Sequence, residues 1–124
     1  MIEDTLLIEY SEQLWAKVNQ DIVTIGVLQE IFDDVNEIWG VDLPSEGSEV
    51  TPEEVCGEVE TDDGPINIYS PIEGEVVDVN TAVKSDFDIL FDDSNEEGWL
   101  IKIKSSNIED LKTFLSENDK ETDI

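Results

Sequence analysis

The sequence lacks two residue types that carry much of protein chemistry: its 124 residues include no arginine and no histidine. Without histidine, the commonest general base and the commonest neutral metal ligand are absent. Without arginine, the chain has no bidentate clamp for phosphate or carboxylate groups. The sequence also has no glycine-rich phosphate loop, no zinc-ligand spacing and no nucleophile motif. We therefore predict that the protein is not an enzyme.

Cysteine and long apolar segments are also scarce. Cys56 is the only cysteine, so no intrachain disulfide can form. We expect it to be a small buried hydrophobe rather than a redox nucleophile, because the acidic residues around it disfavour the thiolate. No run approaches the ~18 apolar residues of a membrane span, and Met1–Asp4 lacks the basic region of a signal peptide. These features predict a cytoplasmic protein with no membrane partner.

Positive charge is the third scarcity. Thirty-three acidic residues face six lysines, which gives a formal net charge of −27. Such a field repels nucleic acid and anionic membrane surfaces, so neither is an expected partner. A basic protein partner, a high-salt cytoplasm and simple solubility each account for the acidity, and the sequence leaves all three open.

Short alternating apolar runs fill the rest of the chain and predict a mainly-β fold. We divide it into a flexible N-terminus (1–6), one domain (7–115) and a flexible acidic tail (116–124). The regular elements with the clearest signals are a hairpin around Asn19–Asp21, a short helix over Val27–Asn36 buried through Val27, Leu28, Ile31 and Val35, a bulge at Gly40, a helical turn capped by Asn80, and a terminal helix over Asn107–Leu115. Three aromatic residues are assigned to the core rather than to a ligand platform: Trp39, Tyr69 and Trp99.

The most informative stretch is Val55–Pro71, which reads as strand, tight turn and strand. Asp62-Asp63-Gly64-Pro65 supplies the turn, because glycine takes positive φ without steric cost and aspartate tolerates it. The turn therefore presents two adjacent carboxylates. A Ca²⁺ or Mg²⁺ site built from them and Glu60 is a weaker alternative, because the spacing does not match an EF-hand loop and acidic turns are common without metal. An acid–base pair would need a pocket that an exposed turn lacks, so we predict no metal and no catalytic residue.

The same stretch carries a family resemblance. Glu60-Thr61-Asp62-Asp63, with Asn67–Pro71 and Gly74–Asn80 after it, resembles the lipoyl-attachment hairpin of the glycine cleavage system H protein family. That motif reads Glu-Ser-x-Lys, four residues, Leu/Ile-Tyr-Ser/Ala-Pro-x-x-Gly-Glu, four residues, Asn, and its lysine bears lipoate through an amide. Val41–Gly47 and Glu97–Lys104 resemble further family segments. The likeness runs from Tyr10 to Leu115.

The resemblance implies a fold and a site. The fold is a barrel-sandwich hybrid of the biotinyl/lipoyl carrier type: two antiparallel sheets with two or three short helices. Asp63 stands at the position of the lipoyl lysine, flanked by Glu60, Thr61, Asp62 and Gly64. A carboxylate cannot form the amide, so we expect no cofactor.

The expected role is that of a protein-binding or regulatory module around lipoate or glycine cleavage enzymes. Its partner would be a basic protein surface, and the contact candidates are Glu60, Asp62 and Asp63. The alternative is a working carrier that shuttles the aminomethyl group with lipoate attached in another way.

Overall fold

A computed structural model describes residues 7–118 and consists mainly of antiparallel strands in two sheets. The predicted flexible N-terminus, residues 1–6, lies outside the described residues. The strands are β1 Ile8–Glu9, β2 Leu14–Asn19, β3 Ile22–Val27, β4 Ile38–Asp42, β5 Glu49–Val50, β6 Gly57–Thr61, β7 Gly64–Ile68, β8 Gly74–Val79 and β9 Ile101–Ser105. One sheet has the order β1-β2-β3-β9-β8-β5, and the other has the order β4-β6-β7.

The six-stranded sheet contains the first predicted hairpin. β2 and β3 pair from Leu14↔Val27 to Asn19↔Ile22, which leaves Gln20 and Asp21 as the turn. Gln20 has φ 60°, a left-handed conformation that this tight turn requires. The hairpin predicted around Asn19–Asp21 is therefore confirmed.

The three-stranded sheet is centred on β6, which pairs with β4 on one side and β7 on the other. The β4–β6 register shifts between Ile38, opposite Thr61, and Gly40, opposite Glu60. Trp39 is the extra residue, so the bulge predicted at Gly40 is confirmed.

The core lies between the two sheets. Val59 and Ile68 from the small sheet and Ile25 and Ile103 from the large sheet are fully buried in one cluster. On β6 and β9 the buried residues alternate with more exposed ones, which follows from the two-residue period of a strand. The prediction of a mainly-β fold is confirmed.

Trp15 is a large buried side chain whose polar atom is satisfied inside the core. Its indole N–H lies 3.0 Å from the Val27 carbonyl oxygen and 3.1 Å from that of Ser94. A Cβ atom at Gly26 would come within 2.6 Å of the indole ring. The absence of a side chain at Gly26 therefore allows the ring to lie flat against β3.

The described residues also form four helical segments: a 3₁₀ helix over Gln29–Asp34, α1 Ala82–Ser85, α2 Asp88–Asp93 and α3 Ile108–Asn118. The Asn107 side chain caps α3, because its Oδ1 accepts a hydrogen bond from the Glu109 N–H at 2.9 Å. α3 continues past the predicted tail boundary at residue 116, and residues 119–124 lie outside the described part. None of the helices within residues 7–118 combines the length and apolar character of a membrane-spanning segment.

Two local predictions need correction. The helix predicted over Val27–Asn36 is a shorter 3₁₀ helix, because Val27 remains in β3 opposite Leu14. Its predicted stripe is buried at Val27, Leu28 and Val35 and partly buried at Ile31, and Phe32 is buried in addition. Asn80 does not cap α1. Its amide instead donates to the carbonyl oxygens of Glu97 at 2.9 Å and Trp99 at 2.7 Å, which ties the end of β8 to the segment before β9.

Candidate functional site

The β6–β7 hairpin ends in a two-residue turn formed by Asp62 and Asp63. Thr61 pairs with Gly64 at the last rung, and Gly64 has φ 106°. The conformational freedom of glycine is required at this position, since L side chains rarely adopt that backbone angle. The predicted short, exposed, acidic tip is the structure observed.

Thr61 stabilises the turn from inside. Its hydroxyl accepts a hydrogen bond from the Asp63 N–H at 3.0 Å and donates one to the Gly64 carbonyl at 2.8 Å. The side chain is only 2% exposed. Thr61 and Gly64 therefore fix the conformation of the tip and offer no reactive or charged side-chain group to a partner.

Asp62 connects the tip to the segment that precedes β4. Its carboxylate accepts hydrogen bonds from the backbone N–H groups of Asn36 and Glu37, both at 3.0 Å, and from the Asn36 amide at 3.2 Å. The Asp62 N–H in turn donates to the Glu37 carbonyl at 3.1 Å. These bonds, the one from Glu37 first, lower the pKa of Asp62 below its ordinary value. The side chain is exposed, but its oxygens are already engaged within the chain.

Asp63 differs from its neighbour. Its side chain is exposed and, among residues 7–118, forms no hydrogen bond or ion pair with the rest of the chain. Glu60 lies one rung further down the hairpin, is also exposed, and projects toward Gly40 on β4. Of the three predicted contact residues, Asp63 is thus unengaged and Glu60 is exposed beside Glu58, whereas Asp62 has a structural task.

The lysines of the described part lie away from the hairpin. Lys17, Lys102 and Lys104 belong to the six-stranded sheet, where Lys17 forms an ion pair with Glu96 at 3.0 Å. The Lys102 ammonium lies 5.0 Å from the centre of the Trp99 ring. Lys84 is on α1 and Lys112 is on α3. The β6–β7 hairpin itself contains only acidic and neutral residues.

Cys56 lies just before β6, beside a shallow cleft that is also lined by Pro44, Val50 and Val55. The thiol is half-buried, and this burial raises its pKa above the ordinary value. A raised pKa disfavours the thiolate, in agreement with its prediction as a structural residue.

The carboxylates of the hairpin region do not converge on a common point. In the part of the chain that the structure describes, no group of three or more aspartate, glutamate or cysteine side chains has the arrangement of a metal site.

Trp39 is the surface residue that sequence reasoning missed. It was assigned to the core, but 63% of it is exposed on β4, next to the hairpin. The assignment followed the aromatic character of the residue, whereas the two-residue period of a strand, counted from the buried Ile38, places Trp39 on the outer face.

Comparison with known proteins gives a consistent result. The family model described as "Glycine cleavage H-protein" matches residues 7–124. A glycine cleavage system H protein from Synechococcus sp. (strain JA-2-3B'a(2-13)) is 41% identical over 102 residues, covering 82% of this chain and 79% of that protein. A protein of the same name from Acinetobacter baumannii is 34% identical over 110 residues, covering 89% of each.

A solved structure gives the same relationship in three dimensions. The crystal structure of a glycine cleavage system H protein from Mycobacterium marinum superposes with a TM-score of 0.74 at 25% identity. The match covers 81% of this chain and 84% of that one. The predicted barrel-sandwich hybrid is therefore confirmed.

Proposed function

The chain belongs to the glycine cleavage H-protein family, and we propose that it is a non-lipoylated member that acts as a protein-binding module. A member of this family is a carrier protein and not an enzyme. The observation that supports the proposal is the residue at the apex of the hairpin. Asp63 stands where the family motif has its lysine, and no lysine occurs between Lys17 and Lys84.

The chemistry of attachment supports this reading. Lipoate is joined to its carrier through an amide, which requires an amine on the protein. The Asp63 and Asp62 carboxylates cannot supply it, and the amines of Lys102 and Lys104 are on the other sheet. A lysine on an extended strand within a sheet also lacks the projecting geometry of a hairpin tip.

The proposed role is docking on enzymes that recognise lipoylated carriers. A lipoate ligase or the glycine cleavage enzymes are the proposed partners, through a basic surface that complements this acidic chain. Asp63 is the contact residue with an unengaged carboxylate, and Glu60 is exposed beside Glu58. We place this module in the cytoplasm, in keeping with its single free cysteine.

Intact protein mass tests the proposal. The full chain is expressed together with a lipoate ligase in medium containing lipoate, and an H protein that has the motif lysine serves as the positive control. We expect the control to gain a lipoyl group while this chain keeps its unmodified mass. An added lipoyl mass on this chain would overturn the proposal, and peptide mapping would then identify the carrier residue.

A further inference from the structure

The outer face of the three-stranded sheet carries an exposed aromatic residue among carboxylates. Trp39 lies on β4, and Asp42 is opposite Glu58 while Gly40 is opposite Glu60. Trp39 is 63% exposed, the largest exposed fraction among the bulky apolar side chains in the described part of the chain. Exposure of so large an apolar ring to water is unfavourable, and tryptophan is enriched among the residues that carry most of the binding energy of protein interfaces.

The indole has a defined position. Its N–H donates to the Glu37 carboxylate at 3.0 Å. Beside it Gly40 has no side chain, and apart from its chain neighbours a Cβ atom built there would meet only the Glu60 Oε2 atom, at 3.8 Å. The ring is thus held at one edge, and the surface next to it is free for a group from another molecule.

The carboxylates on this face favour a positively charged group as the one that a partner would place beside the Trp39 ring. Asp42, Glu58 and Glu60 lie close enough that partial desolvation, with the neighbouring Glu60 and Asp42 carboxylates, raises the pKa of Glu58. Among residues 7–118 the one ion pair joins Lys17 to Glu96, so no lysine of the described part pairs with Asp42, Glu58 or Glu60. A cation from outside would relieve the repulsion.

We propose that Trp39, Asp42, Glu58 and Glu60, here called the Trp39 face, form the docking surface for an arginine side chain on a basic protein partner. A planar guanidinium stacks on an indole and donates paired hydrogen bonds to carboxylates, and the paired strands β4 and β6 carry both kinds of group on this face. The inference deepens the docking part of the proposed function. A second copy of the chain is a poor occupant, because it would bring the same charge of −27.

The test is an NMR titration of the full-length, ¹⁵N-labelled protein with a hexa-arginine peptide at about 0.15 M salt. We expect saturable shifts of the Trp39 indole N–H and of amides in β4 and β6. Trp39→Ala should weaken binding by about tenfold, the scale of one desolvated cation–π contact. Trp39→Phe should recover part of the affinity, and Val55→Ala, which trims another exposed apolar residue, should leave it unchanged.

Two double variants separate this face from the general field of the protein. Glu58→Gln with Glu60→Gln removes two charges from the Trp39 face, whereas Glu75→Gln with Asp78→Asn removes two from the other sheet. We expect the first pair to weaken binding at least about fivefold more than the second. Equal weakening by both pairs, shifts spread over both sheets, or a Trp39→Ala variant that binds like wild type would overturn the proposal. The proposal would also be overturned if the NMR signals of Trp39 shifted with protein concentration in the absence of peptide, which would indicate self-association. Binding of the protein to anionic vesicles instead of the peptide would overturn it as well.

The outcome is independent of the lipoylation test. The titration uses unmodified protein, so an attached lipoyl group would overturn the proposed function without changing this result. Failure of the titration, conversely, would leave the absence of lipoate in place and remove only the Trp39 face.

Discussion

At the scale of single residues, Asp62 and Asp63 show that identical neighbouring side chains have different tasks. The Asp62 carboxylate accepts three hydrogen bonds from Asn36 and Glu37, whereas Asp63 points into solvent. The local sequence gives no sign of this difference, because the donors lie 25 and 26 residues earlier in the chain. This difference can be tested by making the same substitution at each of the two adjacent positions.

Asp62→Asn should lower the melting temperature at neutral pH, whereas Asp63→Asn should leave it unchanged or slightly raised. The pKa of Asp62 is lower in the folded state than in the unfolded chain. Its stabilisation is therefore complete above the unfolded value of about 4 and is lost as the pH falls through the folded pKa. Melting curves of wild type and both variants at neutral and acidic pH measure the effect. A gap between wild type and Asp62→Asn that does not narrow in acid would contradict this assignment.

Asp63→Lys restores the amine of the family motif at the exposed apex. Because Glu60 is retained beside the tip and the turn is preserved, we expect a lipoate ligase to modify this variant at least in part, as read by intact mass. Asn67→Lys places a lysine on β7, away from the tip, and should remain unmodified. A normally folded Asp63→Lys that gains no lipoyl group would mean that the ligase-docking surface has changed as well.

At the scale of elements, the hairpin turn depends on one backbone angle. Gly64→Ala forces a side chain into a φ of 106°, at a cost of about 1–3 kcal/mol in the free energy of unfolding. Gly40→Ala is the matched control, because its φ is ordinary and its Cβ meets only Glu60 Oε2 at 3.8 Å. We expect it to change stability by no more than about 0.5 kcal/mol. Chemical denaturation measures both, and equal losses would refute the role given to the turn.

Local signals predict elements well where the local chain decides the structure. The Asp-Gly and Asn-Gln-Asp turn signals predicted both hairpins, and Gly40 predicted the bulge. The errors occur where a distant partner decides. Val27 fits a helical stripe by spacing, but pairing with Leu14 keeps it in a strand. Asn80 suits a helix cap, but carbonyl groups at positions 97 and 99 engage its amide instead.

The candidate site was predictable to a similar degree. The family motif located the tip and the replaced lysine, because these are properties of a short contiguous segment. The structural task of Asp62 was not predictable in this way, because it depends on the connection before β4. The exposure of Trp39 follows from strand alternation after the buried Ile38, and the core assignment failed because it relied on residue type alone.

At the scale of the whole molecule, unbalanced charge dominates. The sequence has 33 acidic residues and six lysines, and residues 7–118 hold one ion pair, between Lys17 and Glu96. Added salt therefore screens far more repulsion than attraction, since the Debye length falls from about 30 Å at 0.01 M to about 3 Å at 1 M. We expect the melting temperature to rise by several degrees over this range of sodium chloride. A constant or falling value would contradict the view that self-repulsion limits stability.

The distribution of the lysines has a practical consequence. Because no lysine occurs from residue 18 to residue 83, β4, β6 and β7 carry no side-chain amine. Amine-reactive dyes, cross-linkers and coated sensor chips will attach to lysines elsewhere. A protein immobilised through them leaves the Trp39 face and the hairpin tip chemically untouched, and trypsin leaves that entire span as a single uncut peptide.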